Sequence, residues 1–130
     1  MLLQSPRLVD LHSARLFFQD WVAFSNPKSE HLWVALTREN GICACFSEFP
    51  GNESGAPFLV RQILSDALEC QAAGIFLAHN HPSGDPRPSG SDCRATQRLA
   101  TAAEALGCRV LDHLIFAGPE CTSFRNLGLL

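Results

Sequence analysis

The sequence predicts an α/β domain in three layers, a mixed β-sheet flanked by helices. Three observations carry this. Two amphipathic patterns at helical spacing alternate with strand-like runs in a β-α-β-α-β order. A hairpin-like pair of runs stands upstream, at residues 31–49. One of the runs, IFLA at 75–78, is short and wholly apolar, as suits a central strand buried on both faces.

The elements follow in chain order. Residues 8–24 read as an amphipathic helix, with Leu8, Leu11, Ala14, Phe18 and Val22 recurring at three and four. SNPKSE breaks it. HLWVALT (31–37) and ICACFSEF (42–49) are strands by their β-branched and aromatic content, joined by ENG, whose Gly41 supplies a positive φ. Residues 50–57 are a loop rich in breakers. A helix over 58–73 carries Leu59, Ile63, Ala67 and Cys70 on one stripe, and Gly74 is its expected cap. A crossover through this helix is right-handed if its flanking strands are parallel. A second helix over about 90–106 carries Ala95, Leu99, Ala102 and Leu106 and ends at Gly107. CRVLDHLIFAG (108–118) is the last strong strand, and CTSFRNLGLL is a short tail.

Composition bounds the function. The chain has 130 residues, enough for one domain with a real core. A net charge of −3 gives no global attraction to nucleic acid or to anionic membrane. No stretch approaches the roughly 20 apolar residues needed to span a bilayer. The N-terminus is too broken by charge for a secretory signal, so a cytoplasmic location is expected. The six cysteines include no CxxC and read as free thiols of a reducing compartment.

The chemistry concentrates in HNHPSGDPRPSGSD, residues 79–92. Strand alternation points His79 and His81 to one side, at the C-terminal end of a buried strand, where α/β proteins place their sites. Asp92 falls in the first turn of the next helix, which the helix dipole favours. Prolines 82, 86 and 88 stiffen the loop between, and Gly84 and Gly90 let it bend. Two imidazoles and one carboxylate make a catalytic zinc set with a fourth position left for water. A closed site would need Cys93 or Asp85. Cys93 diverges from Asp92 around the helix, and Asp85 suits a loop-capping role.

The same stretch resembles the zinc motif of the JAB/MPN metalloprotein superfamily in its RadC-like form: an upstream Glu, HxHP, a Ser, then Asp. The likeness continues in EHLWVALTRENG, in Gly51 of FPG, in Arg61 and in GCRVLDHLIFAG, from about residue 28 to the end. It implies a RadC-like JAB/MPN domain over 28–130, with the layered architecture shared by cytidine deaminases, preceded by an N-terminal helical segment over 1–27. RadC-like proteins usually carry an N-terminal region resembling a helix-hairpin-helix module, and about 27 residues are too few for it. The loop GNESGAP also departs from the family pattern.

The resemblance implies Zn2+ held by His79, His81 and Asp92, and a zinc-dependent hydrolase of amide or peptide bonds acting through an activated water. The ligand imidazoles must be neutral, so activity should fall at acid pH. The superfamily's upstream Glu is the general base. Glu30, just before EHLWV's strand, is the favoured match, with Glu48 the alternative. Ser89 matches the serine that donates to the oxyanion, and it also suits a helix N-cap. His113 is either a satisfied core histidine or a group at the active edge. Arg87, Arg94 and Arg98 either meet a substrate anion or form a solvated face. The alternative functions are a DNA-repair-associated accessory domain and a protein-interaction domain with a structural or vestigial metal site. The expected partner is a peptide or amide substrate. Binding to nucleic acid is left open, with the charge against it. Pairing of subunits through a bare hairpin edge would give a homo-oligomer.

Overall fold

The structure, a computed structural model, describes residues 5–51 and 56–130. Three helices and five strands alternate along the chain: α1 (Leu11–Phe24), β1 (His31–Thr37), β2 (Cys43–Pro50), α2 (Ala56–Glu69), β3 (Gly74–Asn80), α3 (Gly90–Ala105), β4 (Arg109–Ala117) and β5 (Glu120–Ser123). The strands form one mixed sheet in the order β2-β1-β3-β4-β5. β1 pairs antiparallel with both β2 and β3, β3 pairs parallel with β4, and β4 pairs antiparallel with β5. The expected three-layer mixed α/β architecture is therefore the observed one.

Alternation along the central strands divides the core in two. Trp33, Ala35, Phe76, Ala78, Leu114 and Phe116 face α1, where they meet Ala14 and Phe18. Val34, Leu36, Ile75 and Leu77 face α2 and α3, where they meet Ile63, Ala67, Leu99 and Ala103. Every residue of β3 is buried. This is the double-sided burial that the apolar run at 75–78 predicts.

Three differences from the sequence expectation shape the fold. α1 starts at Leu11, because Asp10 caps it. The Asp10 carboxylate accepts from the Ser13 N–H at 2.9 Å, and the Ser13 hydroxyl accepts from the Asp10 N–H at 3.1 Å. Leu8 is buried outside the helix, its N–H bonded to the Gly41 carbonyl at 2.8 Å. α2 ends at Glu69 rather than at 73. Gln71 takes a left-handed conformation with φ 56°, and the Ala72 N–H closes on the Ala67 carbonyl at 2.9 Å. Gly74, expected as the cap, instead opens β3. Its smallness answers a packing need, since a Cβ there would stand 2.5 Å from Leu111 Cδ1 and 2.7 Å from Thr37 Oγ1. The third difference is β5, which forms where a short tail was expected. Gly118, at φ 57°, turns the chain so that Glu120–Ser123 returns along β4.

The strands flanking α2 do run parallel, but β1 lies between them. The adjacent parallel pair, β3 and β4, is joined through α3. β2 forms one edge of the sheet, and the Cys43 N–H at its start donates to the Pro6 carbonyl at 2.9 Å. The described cysteines are all free thiols. Among the described residues no helix is long and apolar enough to cross a membrane. The expected loop at 50–57 is shorter at both ends, since Pro50 closes β2 and α2 already begins at Ala56; residues 52–55 lie outside the described residues.

α1 contributes to the same core as the strands. Phe18 is fully buried at 0% exposure, so Phe18→Ala is expected to cost about 3–5 kcal/mol. Urea unfolding checks this. A cost near zero would show that α1 is a detachable appendage.

Candidate metal centre

β3 ends at Asn80, and the chain continues its pairing for one more residue: the His81 N–H donates to the Phe116 carbonyl at 2.9 Å. His79 and His81 therefore project to the same face, toward α2 and α3. After His81 the chain turns at Gly84, φ 83°, whose N–H donates to the His81 carbonyl at 3.1 Å. The loop then runs to Ser89 and into α3.

Asp92 is placed by the helix start. Ser89 is the N-cap: its hydroxyl accepts from the Asp92 N–H at 2.9 Å, and Asp92 Oδ2 accepts from the Ser89 N–H at 2.9 Å. The carboxylate is thus fixed by the helix before it meets any imidazole. Asp92 Oδ2 lies 3.1 Å from His81 Nε2 and 3.4 Å from His79 Nε2, and the two Nε2 atoms are 2.8 Å apart. His79, His81 and Asp92 could hold a metal ion. A tetrahedral ion with bonds of about 2.0–2.1 Å requires ligand atoms about 3.3 Å apart, so small ring rotations bring these three into place.

The outer nitrogens support that geometry. His81 Nδ1 is 2.8 Å from the Asp85 backbone carbonyl, a partner that can only accept, so Nδ1 carries the proton and Nε2 presents a lone pair. Asp85 is itself tied down. Its carboxylate accepts from the Arg87 backbone N–H at 3.0 Å and grips the guanidinium at 2.8–3.2 Å. Those bonds from Arg87 hold its pKa at about 2. This is the loop-capping role that its position in the sequence suggests.

His79 Nδ1 lies 2.6 Å from His113 Nε2, and His113 Nδ1 lies 2.7 Å from Thr96 Oγ1. For His79 Nε2 to offer a lone pair, Nδ1–H donates to His113, and His113 donates in turn to Thr96. This needs a neutral His113. Burial, with the adjacent His79, pushes its pKa well below the usual histidine value. His113 is thus a buried, satisfied histidine that also borders the site; the two sequence alternatives meet in one residue. A β-bulge brings it there. Ile75 pairs with Val110 but Phe76 pairs with Asp112, so the extra residue at Leu111 returns His113 to the face of Leu77 and His79.

Burial alone would raise the Asp92 carboxyl, but His79 and the Ser89 N–H and hydroxyl outweigh it and leave its pKa well below the usual carboxylate range. The cluster opens into a cavity of about 590 Å³, whose walls include Glu30, Ser83, Ser89 and Ser91 beside the apolar Leu59, Val60 and Leu99.

The two candidate bases separate. Glu30 lines the cavity with His79, His81 and Asp92. Glu48 pairs with Trp33, which pairs with Ala78, so it belongs to the α1 side of the sheet, where its Oε1 lies 3.4 Å from His31 Nδ1. Arg87 reaches the cavity rim, whereas Arg94 and Arg98 line a separate shallow concavity on α3. Sequence reasoning left Asp112 without a role. It is buried, accepts from the Ser123 hydroxyl at 2.6 Å and from the His113 N–H at 2.7 Å, and so ties β5 to the strand carrying His113.

A neutral buried His113 has a pH consequence. The unfolded chain takes up a proton near pH 6.5 that the folded chain refuses, so stability rises with pH below that point. On acidification below about pH 6.5 the protein is expected to lose about 1.4 kcal/mol per pH unit more than His113→Gln does. Denaturant unfolding from pH 7.5 to 5.5 checks this, and equal slopes would rule out a neutral buried imidazole.

Comparison with known proteins agrees with the geometry. A family model described as RadC-like JAB domain matches residues 10–129. UPF0758 protein YfjY of Escherichia coli is 37% identical over 115 residues, covering 86% of this chain and 72% of the relative. A UPF0758 protein of Desulforudis audaxviator is 39% identical, covering 77% of this chain and 44% of its own length. UPF0758 protein STH371 of Symbiobacterium thermophilum is 37% identical, covering 95% and 54%. The chain thus spans about half the length of the latter two. With the family model covering α1 through β5 and the His-His-Asp cluster at the end of β3, the chain belongs to the RadC-like JAB-domain family.

Proposed function

We propose that the protein is a zinc-dependent hydrolase of amide or peptide bonds. The observation that carries this reading is the convergence of His79 Nε2, His81 Nε2 and Asp92 Oδ2 on one point in the wall of a cavity. The two imidazoles have their Nδ1 atoms engaged elsewhere, and Asp92 Oδ2 is oriented by the Ser89 N–H. A donor set of two neutral imidazoles and one carboxylate suits zinc and leaves a coordination position for substrate chemistry. Zinc bound there would supply an activated water at neutral pH and polarise a carbonyl.

The chain's own residues supply the rest. Glu30, on the cavity wall, takes the proton of the attacking water and passes it to the leaving amine. Glu48, on the α1 side of the sheet, is remote from that path. Ser89 uses an oxygen lone pair for the Asp92 N–H, and its hydroxyl proton, which favours the Asp92 carboxylate, turns to the developing oxyanion. Capping and catalysis are therefore compatible in one hydroxyl. Asp85 and His113 hold the two imidazoles by their Nδ1 atoms. Leu59, Val60 and Leu99 give the cavity an apolar wall against which a substrate side chain would rest.

The test is cleavage of a mixed peptide library by zinc-loaded protein, read by mass spectrometry. Glu30→Gln is expected to keep its zinc and lose about 10²–10⁴ in rate, as removal of a general base does. Glu48→Gln is expected to stay near the wild-type rate. The reverse ranking would transfer the base to Glu48, and no cleavage by folded, zinc-loaded protein would count against peptide hydrolysis.

A further inference from the structure

Asn80 stands between His79 and His81, yet alternation turns it to the opposite face of β3. It is 6% exposed, and its amide is spent on one short stretch of distant backbone. Oδ1 accepts from the His31 N–H at 2.8 Å, and Nδ2 donates to the Ser29 carbonyl at 2.8 Å. The residue between those two groups is Glu30.

Backbone pairing with β3 does not reach this point. The β1–β3 ladder ends with Leu32 opposite His79. Beyond it, the chain carrying Glu30 is held against β3 by the Asn80 side chain. A second hold comes from β2: the Gly51 N–H donates to the Glu30 carbonyl at 2.8 Å. Gly51 allows that approach only because it is glycine, since a Cβ there would stand 2.5 Å from Glu30 Cβ. The N–H of His31 and the carbonyls of Ser29 and Glu30 are thus all engaged. Few side chains can replace Asn80. The position needs a short group that accepts from one residue and donates to another two places away, and an amide does both at once. Aspartate keeps the acceptor and lacks the donor.

We propose that Asn80 is a positioning residue that fixes Glu30 relative to the His79–His81–Asp92 cluster. The inference rests on the reading of Glu30 as the general base. Its mechanical content is separable: the ligands are held through β3 and α3, whereas the segment carrying the base is held against β3 by the Asn80 amide. One substitution should therefore uncouple metal holding from base placement.

The experiment compares wild type, Asn80→Ala and Asn80→Asp by NMR and zinc titration. Amide exchange is measured first, without zinc. Exchange at His31 and Gly51 is expected to quicken about tenfold or more in Asn80→Ala, with the β3–β4 amides of Leu77 and Leu114 unchanged. Zinc is then added. The Glu30 side-chain carboxyl signal is expected to shift in wild type and to lose that response in Asn80→Ala, while zinc affinity stays within about threefold. Asn80→Asp should fall between, and it serves alone if the alanine variant does not fold. A full Glu30 response to zinc in the variants, or unchanged exchange at His31, would overturn the proposal. Wild type that takes up no zinc, or whose Glu30 ignores it, would sink the hydrolase reading instead, and the exchange result then judges the clamp by itself.

Discussion

The structure depends on the period-two alternation of one strand, β3, buried on both faces at the centre of the sheet. Seven consecutive buried residues leave no freedom of register. A slip by one residue would carry the apolar side chains of both core layers to the wrong side. That same constraint aims the polar residues at the strand's end. His79 and His81 must face α2 and α3, and Asn80 must face the other way. The apolar core thus orients the candidate metal centre, and the parallel pairing with β4 sets the neighbour against which His79 rests.

Local hydrogen bonding finishes what alternation begins. Asp92 is both the third residue of a helix capping box and the third candidate ligand, so the start of α3 and the metal centre are one piece of structure. The helix start favours an anion at this point, and the cap satisfies backbone donors that would otherwise lack partners. The two imidazoles are held from behind by different means. His81 leans on a backbone carbonyl of the rigid loop, and His79 leans on a neutral imidazole and a hydroxyl inside the core. The ligand cluster is therefore tied to β3, β4, α3 and the 82–89 loop together. A single loop motion cannot take it apart.

What was legible in the sequence was local. HxH at the end of an apolar run, a Pro- and Gly-rich spacer and an Asp at a helix start are read directly along the chain. So is the hairpin around Gly41. The non-local features were hidden. The Leu111 bulge, which turns His113 to the site, leaves no mark in the alternation of VLDHLIF. Gln71 takes the left-handed position that glycine usually fills, so α2 ended earlier than its alanine-rich continuation suggested. β5 is four residues, three of them polar, and exists because β4 offers it an edge. The choice between Glu30 and Glu48 depends on which face of the sheet each one serves. That becomes visible only when β1 is known to pair with both β2 and β3. Asn80 occupies the position between the two histidines, where a motif carries no information, and its role emerges from bonds across 49 and 51 residues of chain.

The proposed function stands on His79, His81 and Asp92 binding zinc as an open catalytic set. Zinc titration of the purified protein with X-ray absorption at the metal edge tests it most directly, beside His81→Ala checked for folding. The expected result is one zinc per chain, bound by two imidazole nitrogens, one carboxylate oxygen and one further light atom at about 2.0–2.1 Å, and lost in the folded variant. Folded wild type that takes up no zinc, or a sulfur ligand in the metal's shell, would contradict it.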